Sequence, residues 1–322
     1  MATRERAGLR GRVLDGRYRV GACIGVGGTG VVFEATRLQD GHTVVVKTMR
    51  PVFAQNADLV RRLRREAEVA QRVPHRGIVP VTDDGTLSDG SPYLVMKRMR
   101  GECLARLLLR VGTLAAPEAA AIGMRVASIL HAAHGLGYVH RDVKPEHVLL
   151  DRDHLGHLQV SLLDFGVCAS ESASPEEREL ERGRVYGTPS YVSPEQASGD
   201  PEVDGRADVF GLGVVLFESL VGRVPFTASN VAALLRRIIR EDAPRLTLVN
   251  SRVDGRADAV IARALARQRD QRFPTARSIG RALMPLAGDR VGAERLLAAR
   301  LRVGAQREDS ITTVVERAVV AA

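Results

Sequence analysis

The segment from His140 to His147, HRDVKPEH, places charged, imidazole and proline side chains at nearly every position. Such density raises the question of a chemical function, and of why the segment ends in histidine. A polar stretch that contains proline between two apolar runs is also the ordinary composition of a surface loop. The segment alone leaves both interpretations open.

A second segment, GVGGTGVV, spaces Gly25, Gly27 and Gly30 in the pattern G-x-G-x-x-G. In a dinucleotide-binding fold this pattern opens a helix, and an acidic residue follows about twenty positions later. Here the β-branched run VVFEATR follows, so the pattern predicts the turn of a hairpin. Glycines in that turn would let backbone amides approach phosphate oxygens, although a plain glycine-rich hairpin fits the same pattern.

Three further positions could act with the glycine turn. Lys47 ends the apolar run TVVVK one hairpin after Gly30, so its ammonium could lie under the turn and pair with Glu66. A lysine that closes a strand is often only an edge residue with its charged head in water. Asp164 follows an apolar run and precedes a Phe-Gly turn, where a carboxylate could bind a hard cation.

The elements that must position these residues change character along the chain. From Tyr18 to about Tyr93 the pattern predicts short strands, and one helix over residues 58–72 interrupts them. After Gly101 it predicts helices over residues 104–109, 117–136, 203–221, 231–240, 253–267 and 276–286. We therefore expect an α+β protein, with a small β-rich part followed by a larger α-rich part.

The composition is that of a globular protein of 322 residues, 45% hydrophobic and 26% charged. No apolar run reaches the ~18 residues of a membrane span, and no apolar signal-peptide core follows the basic N-terminus. The three cysteines match neither a metal-ligand spacing nor a disulfide framework. These features predict a cytoplasmic protein with reduced thiols and without a transmembrane segment.

The formal net charge of +9 raises a nucleic-acid partner as an alternative. Among the 47 basic residues only Lys47, Lys97 and Lys144 are lysines, and the arginines are scattered along the chain. A compositional bias of this kind accounts for the charge without a nucleic-acid partner. It also suggests that each lysine stands where a guanidinium would not serve.

Taken in order, these segments resemble the protein kinase family from about Tyr18 to Leu286. The family's motifs occur in sequence as GVGGTGVV, VVVK, RREAEVA, HRDVKPEH, DFG and YVSPE. Lys144 after HRDV and Thr188 in GTPSY are similar to the serine/threonine class. The stretch VYGTPSYVSPEQ is similar to the eukaryotic-like kinases of bacteria.

The resemblance implies a bilobal protein kinase-like fold over residues 18–288. Its small β-rich N-lobe, with one helix, would span residues 18–96, and its larger α-helical C-lobe would span residues 100–288. A basic arm, residues 1–17, would precede this domain. The Ala- and Arg-rich tail, residues 289–322, would follow it, and one amphipathic helix is a hypothesis for that tail.

The resemblance also implies a role for each residue of the site. Lys47 would hold the α- and β-phosphates of ATP and pair with Glu66. Asp142 would receive the proton of the substrate hydroxyl, Lys144 would neutralise the γ-phosphate, and Asp164 would bind Mg²⁺. The other contacts to ATP would come from Gly25, Val26, Gly27, Gly28, Thr29, Gly30, Val32, Val45, Met96 and Met99.

Outside these contacts, the resemblance implies that Asp208 braces the catalytic loop and that Glu195 and Arg272 form a buried ion pair. Val45 and His147 are among the positions that depart from the family pattern. Val45 replaces an alanine, which narrows the adenine slot. His147 replaces the asparagine that binds a second Mg²⁺, so we expect that ion to be held weakly or through water, with Mn²⁺ better tolerated.

Three functions are compatible with the sequence. The first is a serine/threonine protein kinase that transfers the γ-phosphoryl group of MgATP to serine or threonine hydroxyls of protein substrates, slowed by His147. The second is a nucleotide-binding pseudokinase that acts as a scaffold or allosteric partner. The third is a basic DNA- or RNA-associated protein with an incidental fold, whose binding would persist at high salt without ATP. The motifs favour the first.

Overall fold

The structure is a computed structural model, and it describes residues 8–27, 29–165, 168–170 and 183–301. These residues form two units. Unit 1 holds the described residues up to Arg72 together with Val79–Arg100. Unit 2 holds Val73–Ile78 together with the described residues from Gly101 onward. Unit 1 is rich in strands and unit 2 in helices, which confirms the expected α+β class.

The segment Val73–Ile78, which lies between the two parts of unit 1 in the sequence, belongs to unit 2. The amide of Leu162 donates to the carbonyl of Gly77 (2.9 Å), and the neighbouring Ile78 forms a parallel bridge with Leu162. Gly77 permits this close packing, because a Cβ there would lie only 2.4 Å from the Ile129 side chain. The segment therefore belongs to unit 2 because it pairs with residues far away in the sequence, and local sequence patterns do not encode such pairing.

Unit 1 contains the strands β1 (Val13–Leu14), β2 (Tyr18–Val26), β3 (Gly30–Arg37), β4 (Thr43–Met49), β5 (Val81–Thr86) and β6 (Pro92–Lys97). They form an antiparallel sheet in the order β1-β2-β3-β4-β6-β5. Apolar residues such as Phe33, Val46 and Val95 are buried together on one face, as β-branched and aromatic side chains favour. The sequence pattern missed β5, whose letters VTDDGT contain two aspartates that are typical of a turn.

The helix of unit 1, α1 (Ala57–Arg72), is amphipathic. Its buried residues, Leu63, Glu66 and Val69, recur every three positions and so lie on one face. Leu63 packs against Met49 of β4 and Leu94 of β6. This packing turns the face that carries Glu66 toward the sheet.

Unit 2 contains the helices α2 (Leu104–Val111), α3 (Ala116–His134), α4 (Pro194–Ala197), α5 (Arg206–Val221), α6 (Val231–Arg240), α7 (Leu246–Val249), α8 (Gly255–Ala264), α9 (Ala276–Ala287) and α10 (Arg290–Arg300). α5 is buried along nearly its whole length, as expected for a helix that is apolar on all sides. α3 packs against α5, α9 and α10. A Cβ at Gly123 of α3 would lie 2.9 Å from the side chains of Leu216 and Leu283, so glycine permits close helix packing.

Each helix that the pattern predicts in unit 2 is present, with ends that move by no more than about three residues. The helix predicted over residues 253–267 is shorter in the structure, where α8 covers Gly255–Ala264. Its N-terminus is set by Asp254, because the Asp254 side chain accepts a hydrogen bond from the amide of Arg256 and caps the helix. Within the described ranges, no helix is both long and apolar enough to cross a bilayer.

Short strands of unit 2 flank the segment HRDVKPEH. They are β7 (Glu102–Cys103), β8 (Tyr138–Val139), β9 (Val148–Arg152), β10 (Leu158–Leu162) and β11 (Ala169–Ser170), in two antiparallel sheets ordered β10-β9-β7 and β11-β8. The segment HRDVKPEH connects β8 to β9, and Asp164 follows β10. The β9–β10 hairpin therefore returns the chain to His147, which directly precedes β9.

The helix α10 lies beyond the limit at residue 288 that the resemblance implies. Two ion pairs join it to α3, between Arg125 and Glu294 (3.0 Å) and between Arg300 and Glu118 (2.8 Å). The first part of the predicted tail is thus helical and packed on unit 2. The remainder, residues 302–322, lies outside the described residues.

Candidate active site

The glycine segment forms the turn between β2 and β3, as the pattern predicts. The amide of Gly27 donates to the carbonyl of Gly30 (2.8 Å), and Gly25 pairs with Val32 in the register. A strand follows the turn rather than a helix, which excludes the dinucleotide-binding arrangement for this motif. Of the other predicted residues in the turn, Val26 ends β2, Thr29 precedes β3, and Gly28 lies outside the described residues.

Lys47 lies on β4, opposite Val32 of β3 and Leu94 of β6. Its ammonium lies 2.7 Å from Oε2 of Glu66, so the ion pair expected from the sequence is present. The two side chains are only 20% and 10% exposed, which reduces the screening of this pair by water. Of the remaining predicted contacts to ATP, Val45 of β4 lies opposite Met96 of β6, and Met99 follows β6.

Asp208, near the start of α5, fixes the main chain of the segment HRDVKPEH. Its carboxylate accepts hydrogen bonds from the amides of His140 and Arg141 (2.8 Å each). It also accepts one from Nε2 of His134 (2.7 Å). Burial alone would raise the pKa of Asp208, but the hydrogen bonds from His134 and from the His140 amide outweigh it and hold the pKa below its usual value. An ionised carboxylate in the core therefore supports the loop, in the role that the resemblance implies.

Asp142 is buried, and both of its carboxylate oxygens are held. Oδ1 accepts from the amide and the hydroxyl of Thr188 (2.8 and 2.9 Å), and Oδ2 accepts from the ammonium of Lys144 (2.7 Å). Lys144 also donates to Oγ1 of Thr188 (2.6 Å). Burial opposes ionisation of Asp142, but electrostatic interactions with His147 and then with the ammonium of Lys144 outweigh it, so the pKa of Asp142 lies below its usual range.

His147 has its two ring nitrogens in different surroundings. Nδ1 lies 2.9 Å from the carbonyl oxygen of Asp142. Because a carbonyl oxygen only accepts, Nδ1 carries the proton, and Nε2 carries a lone pair. Nε2 lies 3.6 Å from Oδ2 of Asp164. Burial lowers the pKa of His147 to about 4, so the ring is neutral near pH 7.

Asp164 is held beside His147 by the residue that precedes it. The amide of Leu163 donates to the carbonyl of His147 (2.8 Å), and its carbonyl lies 3.0 Å from Nε2 of His140. Asp164 itself has φ 62°, a left-handed conformation that costs a non-glycine residue ~1–3 kcal/mol and is frequent at functional sites. Such strain persists only where the surrounding structure imposes it, as these hydrogen bonds do here.

The Asp164 carboxylate has the chemistry of a Mg²⁺ ligand, because its oxygens are hard donors and its side chain is 43% exposed. In the part of the chain that the structure describes, no group of three or more His, Cys, Asp or Glu side chains could hold a metal ion. A cation at Asp164 would therefore take most of its ligands from water and phosphate oxygens, which is the usual manner of Mg²⁺ in nucleotide sites. The residues present fit that ion.

Residues of the motif YVSPEQ make contacts with Arg272 and with the segment HRDVKPEH. Arg272 is buried and forms two hydrogen bonds to Glu195, from Nη1 (2.7 Å) and from Nη2 (2.8 Å). The ion pair that the resemblance implies is therefore present. The adjacent Gln196 donates from Nε2 to the carbonyls of Arg141 (2.8 Å) and Tyr186 (3.1 Å).

Sequence reasoning missed three contributors to this site. In the sequence, Thr188 stands out only as a marker of the serine/threonine class, although a hydroxyl residue in the motif GTPSY is a signal for a polar contact. His134 and Gln196 carried no local signal, because their partners lie 74 and 55 positions away in the chain. Contacts of that separation depend on how the helices pack.

The model of the protein kinase domain family matches residues 18–282. Serine/threonine-protein kinase PknH of Mycobacterium tuberculosis is 36% identical over 261 residues, which cover 81% of this chain and 40% of PknH. Serine/threonine-protein kinase PknL of the same species is 34% identical over 303 residues, which cover 94% of this chain and 72% of PknL. The chain thus spans about two fifths of the length of PknH.

Among solved structures, the kinase domain of Mycobacterium tuberculosis PknI superimposes on this chain with a TM-score of 0.66. Its sequence is 28% identical, and the match covers 86% of this chain and 98% of that domain. The fold described above is therefore similar to that of the kinase domain of PknI.

Proposed function

Because the chain belongs to the protein kinase family, with relatives among the serine/threonine-protein kinases of bacteria, we propose that it transfers the γ-phosphoryl group of ATP to serine or threonine hydroxyls of protein substrates. Kinases of this family generally use ATP together with Mg²⁺. The observation that carries the proposal is the arrangement at Asp142, an ionised carboxylate whose oxygens are oriented by Thr188 and Lys144.

Asp142 is proposed as the proton acceptor. Each carboxylate oxygen offers two lone pairs, and Oδ2 uses one of them on Lys144, so one remains for a substrate hydroxyl. The hydroxyl oxygen forms a bond to the γ-phosphorus while the bond to the β,γ-bridging oxygen breaks. ADP leaves, and the hydroxyl proton passes to Asp142. The lowered pKa of Asp142 supports this role, because it keeps the carboxylate unprotonated at neutral pH.

The two motif lysines are proposed to bind phosphate oxygens. An ammonium has three N–H donors, and Lys144 directs one to Asp142 and one to Thr188, so the third can reach the γ-phosphate. In unit 1, Glu66 orients the ammonium of Lys47, which is proposed to hold the α- and β-phosphates. The backbone amides of the glycine turn would add donors for phosphate, and Val32, Val45, Met96 and Met99 would contact the adenine ring.

Asp164 is proposed to hold Mg²⁺. When bound, Mg²⁺ neutralises charge on the phosphate oxygens that it contacts. The protein contributes a carboxylate whose position is fixed by the hydrogen bonds of Leu163 to His147 and His140. Because this ligand is already in place, the site needs less free energy for reorganisation when the phosphoryl group is transferred.

His147 separates the proposed kinase from the alternative, a nucleotide-binding pseudokinase. Loss of one preorganised electrostatic group in an active site typically costs ~100- to 1000-fold in rate, and a histidine where Mg²⁺ prefers oxygen is such a loss. The complete hydrogen-bond arrangement at Asp142 supports a slow kinase over a pseudokinase.

Incubation of the purified protein with γ-labelled MgATP and a generic protein acceptor tests the proposal. We expect label on serine or threonine of the acceptor, and a loss of ~100-fold or more in Asp142→Asn, which removes the proton acceptor. Equal labelling by Asp142→Asn would contradict the assigned role. Nucleotide binding without any transfer would identify the pseudokinase instead.

A further inference from the structure

We propose that Gln196, which directly follows Glu195 of the buried ion pair, is a positioning residue for phosphoryl transfer. Its side-chain amide joins the segment HRDVKPEH to the segment that carries Thr188, and through this link it orients Asp142. The inference rests on the proposed function, because it concerns how the proposed proton acceptor is held. It adds to that function a residue that acts on the reaction only through others.

The side-chain amide of Gln196 uses all of its hydrogen-bonding positions. Nε2 has two N–H donors, one directed to the carbonyl of Arg141 (2.8 Å) and one to the carbonyl of Tyr186 (3.1 Å). Oε1 accepts from the amide and from the hydroxyl of Ser193 (3.1 and 3.2 Å). The orientation of the amide follows from these partners, because the opposite one would set its oxygen against two carbonyl oxygens. Gln196 is only 4% exposed, so water has little access to these groups.

The carbonyl of Arg141 belongs to the peptide group that directly precedes Asp142. The N–H of the same peptide group, which is the amide of Asp142, donates to Nδ1 of His140 (3.2 Å). A peptide group is planar, so hydrogen bonds at both of its ends fix the plane and the direction in which the Asp142 side chain begins. Gln196 supplies the bond at the carbonyl end of this group.

The backbone of Arg141 has a conformation that residues other than glycine rarely adopt, with φ 65°. Such a conformation persists only where the surrounding structure imposes it. The amide of Arg141 donates to Asp208 (2.8 Å) and its carbonyl accepts from Gln196, so hydrogen bonds hold the residue on both sides. Loss of the bond from Gln196 would let Arg141 move toward a more common φ, and Asp142 would move with it.

The carbonyl of Tyr186 connects the segment of Thr188 to the same amide. Tyr186 lies two residues before Thr188, which donates twice to the Asp142 carboxylate. Gly187 lies between them with φ 104°, and a Cβ there would lie only 2.7 Å from the carbonyl oxygen of Arg141. Glycine therefore lets the two segments approach closely enough for one side-chain amide to reach both.

Gln196→Met tests the proposal, because methionine is similar in length and lacks the amide. We expect kcat to fall ~10- to 100-fold, as for a reacting group misplaced by about 1 Å. KM for ATP should stay near the parent value, because the residues proposed to bind ATP are unchanged. Gln71→Met, the same change at an exposed glutamine of α1, should leave both constants unchanged.

Two further variants separate positioning from folding. Leu297→Ala removes a fully buried side chain of α10, so it should destabilise the protein without lowering kcat at temperatures where the variant is folded. Gln196→Glu keeps the length and the acceptor for Ser193 but loses at least one N–H donor. The same direction of change in kcat is expected for Gln196→Glu, which replaces Gln196→Met if that variant does not fold.

Hydrogen–deuterium exchange measured by mass spectrometry gives a readout that does not depend on activity. The amide of Thr188 donates to Asp142, so its exchange rate reports whether the two segments stay together. We expect exchange at Thr188 to be faster by roughly tenfold or more in Gln196→Met, as for the loss of about one hydrogen bond. Exchange in Gln71→Met should equal that of the parent.

The inference would be overturned by a parent-like kcat in the Gln196 variants, or by a fall in kcat that Leu297→Ala shows to the same degree. Parent-like exchange at Thr188 in Gln196→Met would overturn it as well. A parent protein that transfers no phosphoryl group would overturn the proposed function instead, and the exchange at Thr188 would then still decide whether Gln196 joins the two segments.

Discussion

Thr188 donates both its backbone amide and its hydroxyl to one oxygen, Oδ1, of Asp142 (2.8 and 2.9 Å). The residues are 46 positions apart in the chain, and Lys144 bridges them by contacting Asp142 Oδ2 and Thr188 Oγ1. The orientation of the proposed proton acceptor therefore depends on where the segment carrying Thr188 lies.

Thr188→Val tests this dependence, because valine keeps the amide and the shape but removes the hydroxyl. A hydrogen bond to a charged group contributes ~1.5–3 kcal/mol, so we expect a fall of ~10- to 100-fold in kcat. Steady-state kinetics with Thr188→Ser as the matched control would decide, since serine retains the hydroxyl. Equal rates in Thr188→Val and the parent would show that the amide alone orients Asp142.

Lys47→Ala and Asp164→Ala should each lower phosphoryl transfer by more than about tenfold, a loss of ~1.4 kcal/mol, while the protein stays folded. Each variant removes a charge proposed to act on the triphosphate. Circular dichroism would check folding, and a phosphoryl-transfer assay would give the rate. Lys97→Ala is the control, because Lys97 is exposed and outside the proposed contacts. A variant that kept more than about a tenth of the parent rate would refute the role of its residue.

Asp208→Asn should reduce the free energy of unfolding by ~3 kcal/mol or more near pH 7, because it breaks a buried charged network. Folding lowers the pKa of this carboxylate, so its contribution is complete above the unfolded value of ~4 and is lost as the pH falls through the folded value. The difference between parent and variant should therefore narrow in acid.

Urea unfolding at several pH values would measure that difference for Asp208→Asn. Asp242→Asn is the control, because the Asp242 side chain is 83% exposed and little change in stability is expected. A difference between the parent and Asp208→Asn that stays constant from pH 7 to acid would argue against the carboxylate as the responsible group.

Leu297→Ala tests whether α10 is an integral part of unit 2, although the family match ends at residue 282. Leu297 is fully buried, so its truncation should cost ~2–5 kcal/mol in the free energy of unfolding. The neighbouring Leu296 is 64% exposed, and Leu296→Ala should have little effect. Thermal or urea unfolding of both variants gives the answer. Similar stabilities for the two would mean that α10 does not contribute to the core.

Activity should not require phosphorylation of the activation segment, the stretch between the motifs DFG and YVSPE where protein kinases are often phosphorylated. Between Ser174 and Thr188 the chain reads PEERELERGRVYG, without serine or threonine. Glu177, Glu179 or Glu181, which lie outside the described residues, would offer a weaker and permanent carboxylate in place of a phosphate. Phosphatase treatment followed by mass spectrometry and an activity assay tests this, with inactive phosphatase as the control. A large loss of activity that follows dephosphorylation of this segment would contradict the prediction.

Residue types at motif positions predicted much of the fold and the site. The Lys47–Glu66 and Glu195–Arg272 pairs could be expected because opposite charges stand at positions that the family uses. Helices such as α6 were predicted to their ends, because the apolar period of 3.6 residues is a strong signal.

The sequence did not predict features that depend on long-range packing or on the direction in which one side-chain atom points. The strand β5 has a polar sequence, and it is a strand because it pairs with β6. The bond from His147 to the Asp142 carbonyl is local in sequence, but the direction in which Nε2 points depends on where β10 places Asp164. Likewise, the local sequence pattern does not indicate that Glu294 of α10 forms an ion pair with Arg125 of α3.

The pairing of two lysines with carboxylates has a consequence for chemical labelling. Lys47 and Lys144 are only 20% and 17% exposed, and each ammonium is held by a carboxylate, of Glu66 and of Asp142, so acylating reagents have poor access to their amines. Lys97 is exposed and should be the lysine that such reagents modify first. With only three lysines in the chain, appearance of acylated Lys47 or Lys144 in a mass spectrum would report directly that one of these ion pairs has opened.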